Sequence, residues 1–179
     1  MAVDLASHIH EMNNRELNTI AQLRFTDNET QIKLAKHPYL LCRKYLASNP
    51  RLCVEAKNIL LDGRANSVKY NLMTAGHLND TPKKISELYW YEKRRGIMWW
   101  RVGAFVRGWW RRKDVPNTPP AVLQDIYDNF GGGLYGSDQT LVSVPKHPNS
   151  TLKMAVVAST SEGDIVKQAG FARLIELEN

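Results

Sequence analysis

Residues 26–63 read TDNETQIKLAKHPYLLCRKYLASNPRLCVEAKNILLDG, and the punctuation of this stretch sets the fold class. Ile32, Leu34 and Ala35 run into His37-Pro38, where a proline ends one helix and opens the next at its first turn. Leu40, Leu41, Tyr45 and Leu46 form a second apolar face, stopped by Ser48-Asn49-Pro50, and Leu52, Val54, Ala56, Ile59 and Leu60 form a third, stopped by Asp62-Gly63. Working outward, Leu17, Ile20, Ala21 and Leu23 precede the capping triplet Thr26-Asp27-Asn28, and Val68, Leu72 and Met73 follow, ending at Gly76. Helices this short are marginal alone and need neighbours to cover their apolar stripes. The prediction is an all-α domain of stacked short helices.

Two echoes point to a repeated unit. Lys36-His37-Pro38 with Leu46-Ala47-Ser48 is matched by Lys146-His147-Pro148 with Val157-Ala158-Ser159, and a further short helix is expected after each, over Val54–Leu60 and Ile165–Leu174. Thr81-Pro82 with Ile85, Leu88 and Tyr89 is matched by Pro119-Pro120 with Leu123, Ile126 and Tyr127. The stretches NTPPAVLQDIYDNF (117–130) and HPNSTLKMAVVAS (147–159) resemble leucine-rich-repeat-variant and HEAT-like helical repeats. The resemblance implies a short α-solenoid of antiparallel helical repeats in a single domain, with N-terminal repeats over 17–90 and C-terminal repeats over 116–175. Two places depart from the pattern: an inserted basic, Trp-rich helix expected at 91–115, and the glycine-rich run at 131–136, expected to be a hinge. That run lacks the G-K-[ST] ending of a phosphate loop. Leu141-Val142-Ser143-Val144 is expected to form a brief extended piece.

The insert stands out by charge. Lys93, Arg94, Arg95, Arg101, Arg107, Arg111, Arg112 and Lys113 lie together with no acid between Lys93 and Lys113. These eight cations exceed the whole net charge of +6, so the remainder of the chain is slightly acidic. All five tryptophans, Trp90, Trp99, Trp100, Trp109 and Trp110, fall in the same stretch. Wound as one helix over 97–112, Met98, Trp99, Val102, Phe105, Val106, Trp109 and Trp110 share an apolar arc, with Arg101, Arg107, Arg111 and Arg112 opposite and Trp100 among the arginines.

Three readings fit such a helix. It is a core helix with a solvated basic face; or a nucleic-acid contact in which guanidinium forks meet phosphates and indoles stack on bases; or a surface for lipid headgroups or a partner groove. Nucleic acid, RNA or DNA, is the expected partner, with Trp90, Lys93, Arg94, Arg95, Trp99, Trp100, Arg101, Arg107, Trp109, Trp110, Arg111, Arg112 and Lys113 as the contact set. The same patch docking an acidic protein within a larger assembly is the alternative.

Catalytic and metal chemistry find little support in the residues. No serine has a nucleophile-elbow context, and Glu87, Glu92, Asp114 and Asp125 read as helix caps or solvated side chains. HEAT-like DNA glycosylases share the fold type and composition, but no motif carries over, so a non-catalytic protein without cofactor is expected. Cys42 and Cys53 sit within apolar helical patterns as buried free thiols, and the five histidines are too scattered for a metal site. Arg101 and Arg107 interrupt the most apolar region, leaving no transmembrane stretch, and the first residues show no secretory pattern. A cytoplasmic location is expected.

Overall fold

The computed structural model describes residues 5–96, 99–107, 116–130 and 138–178. Every regular element among them is helical, and none of the helices is long and apolar enough to cross a membrane. The chain divides into two compact units, Met1–His77 and Leu78–Asn179.

The first unit holds α1 (Leu5–His8), a 3-10 turn at Ile9–Glu11, α2 (Asn14–Gln22), α3 (Asn28–Lys36), α4 (Leu40–Leu46), α5 (Val54–Asp62) and α6 (Asn66–Thr74). Local chemistry starts these helices where the sequence places its polar breaks. Asn13 caps α2 in a reciprocal box with Glu16, and the Asp27 side chain accepts from Thr30 N at 2.8 Å to open α3. The α6 helix closes through Gly76, whose φ of 82° is left-handed, with His77 N donating to Leu72 O and Gly76 N to Met73 O. Helices pack on second neighbours as well as first: α2 meets α4, α4 meets α6, and α3 meets α5. Leu17, Leu34, Leu46, Leu72 and Met73 are fully enclosed between them. Cys42 is buried, while Cys53 is only half-buried, because it lies at the N-terminal edge of α5.

Side-chain amides bind the turns of this unit into a ladder. The Asn49 Nδ2 donates to Ala21 O and Leu23 O, 28 and 26 residues earlier, and the His77 Nε2 meets Asn49 O at 2.7 Å, 28 residues later. Gln31 reaches Thr26 O and Arg51 O with its amide nitrogen and accepts from Cys53 N. Buried loop carbonyls that would otherwise lack partners are satisfied in this way.

The second unit holds α7 (Pro82–Arg94), α8 (Trp99–Arg107), α9 (Pro120–Phe130), α10 (Asp138–Ser143), α11 (Leu152–Ser159) and α12 (Asp164–Glu178). Prolines open α7 and α9, as the echo of Thr81-Pro82 in Pro119-Pro120 predicts. The other echo is also structural: His37 Nδ1 accepts from Tyr39 N, and His147 Nδ1 from Asn149 N. A ladder recurs here. Asn117 donates from its backbone and side chain to Asn79, and the Asn149 side chain donates to Asn117 Oδ1 and Thr118 O. The turns preceding α7, α9 and α11 are thereby drawn together.

Two expectations change. Leu141–Ser143 belong to α10, not to an extended piece; no strand lies among the described residues to pair with one, and a helix pairs these backbone groups internally. The insert is not one helix over 91–115 either: residues 91–94 continue α7, and Gly96, at φ 77°, ends it before α8 begins. The glycine-rich run at 131–136 lies outside the described residues.

Candidate functional site

The described part of the basic segment comprises the last turn of α7, the turn at Arg95–Gly96, and α8. Tyr89 on α7 is fully enclosed, edge-on to Trp90 at 5.1 Å and to Phe105 of α8 at 5.2 Å. This aromatic contact fixes the rotation of α7, so Trp90 is half-buried while Tyr91, Arg94 and Arg95 face solvent. In α8, Val102, Gly103, Ala104, Phe105 and Val106 are all buried. Five consecutive buried residues cover every direction of a helix, so α8 is enclosed over this stretch instead of amphipathic.

Among the described residues, carboxylates reach two of the cations. The Asp125 side chain on α9 accepts from Lys93 Nζ at 2.6 and 2.7 Å and from the Tyr89 hydroxyl at 2.7 Å, and Asn129 Nδ2 donates to it as well. Glu92 accepts from Arg101 Nη1 at 2.7 Å. Lys93 and Arg101 are therefore not unopposed cations, and Asp125 and Glu92 are not caps or freely solvated acids. No acid lies within the segment, but one precedes it by a single residue and the other is brought by α9. Burial, and then the charge and hydrogen bond of Asp125, push the Tyr89 phenol well above its ordinary range, so it stays a neutral donor.

Among the described residues of the segment, what stays exposed is a smaller set. Arg95 stacks on Tyr91, with its guanidinium carbon 5.7 Å from the ring centroid and Nη1 donating to the phenol oxygen at 3.2 Å. Lys93 also lies over Trp90, at 5.4 Å. Arg94 projects into solvent beside them. No family model, curated protein or solved structure matches this chain. Of the remaining expected contacts, Trp99, Trp100 and Arg107 lie on α8 with side chains outside the described residues, and Trp109, Trp110, Arg111, Arg112 and Lys113 lie outside them altogether, as does Asp114, read above as a cap or solvated acid. Tyr91, which pairs with Arg95 on the exposed face of α7, is absent from the expected contact set; the signal for the pair is its i, i+4 spacing on one helix face.

Proposed function

We propose that this chain is a non-catalytic binding protein, a short stack of helical repeats that holds nucleic acid through the basic aromatic end of α7 and the segment beyond it. Support for a repeat stack comes from the second-neighbour packing of helices and from the amide ladders that join successive turns within each unit. The single observation that carries the ligand class is the exposed trio Tyr91, Arg94 and Arg95, where cations for phosphate stand beside a ring face for a base. Because Lys93 and Arg101 are already engaged by carboxylates, they orient α7 and α8, and the phosphate-facing role narrows to Arg94 and Arg95 together with Arg107, Arg111, Arg112 and Lys113.

The test is fluorescence anisotropy with labelled single strands and duplexes of RNA and DNA at low salt. Substituting alanine at Arg94 and Arg95 weakens binding and lowers the salt slope by about 0.7 for each lost single-strand phosphate contact. A chain that binds none of these probes, or binds them equally well after Arg94, Arg95, Arg107, Arg111 and Arg112 are all replaced, contradicts the reading.

A protein partner is the second reading, favoured by a different surface. Leu152, Val156 and Val157 on α11 and Ile165, Phe171 and Ile175 on α12 are all exposed. Aliphatic exposure of this density on two adjacent helices suits a protein interface better than a phosphate backbone.

A further inference from the structure

The loop between α2 and α3 carries the most exposed large apolar side chain among the described residues, Phe25, at 83% of its full accessibility. Single exposed apolar residues are ordinary on protein surfaces. Phe25 differs because the backbone beneath it is clamped. The buried Asn49 amide donates to Ala21 O and Leu23 O at 3.1 and 2.9 Å, and the buried Thr26 hydroxyl donates to Ile20 O and Leu23 O at 2.7 and 3.0 Å. Gln31, also buried, donates to Thr26 O at 2.8 Å. These bonds hold the backbone of the loop in place, so the Cα of Phe25 is presented at the surface with little backbone freedom left to lose on binding.

Charge surrounds the ring. Arg51 lies over it, guanidinium carbon 5.2 Å from the centroid, and exposed Arg24 precedes it. Of the nearest acids in sequence, Glu29 pairs with Lys33 at 3.0 Å, and Asp27, which keeps its charge, directs its carboxylate to Thr30 as the cap of α3. A cation within reach of an aromatic ring is the arrangement already described for Arg95 and Tyr91, here in the other unit.

We infer that the Phe25–Arg51 pair, with Arg24, is a second contact for single-stranded nucleic acid, in which an unpaired base stacks on Phe25 and the adjoining phosphates meet the two arginines. An acidic side chain meets the arginines but not the ring, whereas a nucleotide supplies anion and flat π surface in one unit. Duplex is disfavoured because its bases are already stacked. The inference shares the ligand class of the function proposed above but none of its residues.

Ultraviolet crosslinking of the full chain to oligo(dT) and oligo(U), with mass-spectrometric mapping, reads the two contacts separately. Crosslinks are expected on the peptide containing Phe25 as well as on the α7–α8 segment. In anisotropy, Phe25→Ala and Phe25→Leu weaken single-strand binding about 5- to 150-fold while Phe25→Trp retains it, the stacking signature that bulk alone does not give. Arg51→Ala lowers the salt slope by about 0.7. Since the Phe25 and Arg51 side chains lie outside the clamp, none of these changes moves the thermal midpoint. Unchanged affinity in Phe25→Ala, or crosslinks confined to α7–α8, overturns this assignment and leaves the other standing. Crosslinks confined to Phe25, with Arg94 and Arg95 dispensable, do the reverse, and failure to bind either oligonucleotide overturns both.

Discussion

At the scale of single residues, Asp125 has the most to lose. Its carboxylate accepts from a fully enclosed tyrosine and from Lys93, so Asp125→Ala strands a buried hydroxyl. The expected loss is about 1–3 kcal/mol in urea unfolding. Asp125→Asn keeps an acceptor for Tyr89 and loses less, and a Tyr89→Phe background shrinks the alanine effect through coupling. Equal losses in all backgrounds would contradict the hydrogen bond's role. His147 gives a pH prediction. Its Nε2 donates to Pro116 O at 2.8 Å and its Nδ1 accepts from Asn149 N at 3.0 Å, so only the neutral ring satisfies both. Burial foremost, opposed by the Pro116 bond and reinforced by the charge of Arg173, holds its pKa below the usual 6.5. The unfolded chain then binds the extra proton first. The stability is fully present above pH 6.5 and drains away as pH falls from there through the folded value. Denaturation midpoints are expected to fall between pH 7.5 and 5, and His147→Gln to flatten that decline from a lower starting point.

Among the elements, α11 and α12 pack backbone to backbone at Gly170. Met154, Ala155, Ala158 and Ser159 of one face Val166, Ala169 and Gly170 of the other, small residues that allow the two backbones to meet. A Cβ at Gly170 would stand 2.3 Å from Ser159 N, 2.7 Å from Ala158 C and 2.8 Å from Ala155 O. These are backbone atoms and cannot swing aside. Alanine is favoured over glycine by about 1 kcal/mol in an unconstrained helix. Here overpacking of about 1–3 kcal/mol opposes it, and the rigidity of the contacted atoms decides the sign toward destabilisation. Gly170→Ala is expected to lower the thermal midpoint, whereas Gly163→Ala, whose nearest contacts are 3.9 Å away, leaves it nearly unchanged. A neutral or stabilising Gly170→Ala would mean that the helices have room to separate.

For the whole molecule, what the sequence revealed divides along the line between local and distant causes. Prolines, caps and apolar spacing act within one turn, so α3 to α7 and α9 were legible from Asp27, His37-Pro38, Gly76, Thr81-Pro82 and Pro119-Pro120. Charge pairing is a long-range property. Nothing near Lys93 signals that Asp125, 32 residues away, will neutralise it, and the ladder of Asn49, Asn117 and Asn149 looks in sequence like ordinary turn chemistry. The first of these ladders lies wholly within Met1–His77, and this unit is expected to fold on its own. Its turn amides find partners at Ala21, Leu23, Arg51 and Asn49, and its enclosed residues Leu17, Leu34, Leu46, Leu72 and Met73 share one unit. The Gly76 turn completes α6 with His77 as its last bonded residue. A fragment ending at His77 therefore keeps every one of these bonds, although at this size the margin of stability is small. Circular dichroism of the fragment is expected to show helix and a single cooperative thermal transition, lowered by several degrees in Asn49→Ala. A gradual, featureless melt would mean that the core and the amide ladder of this unit are insufficient without residues beyond His77.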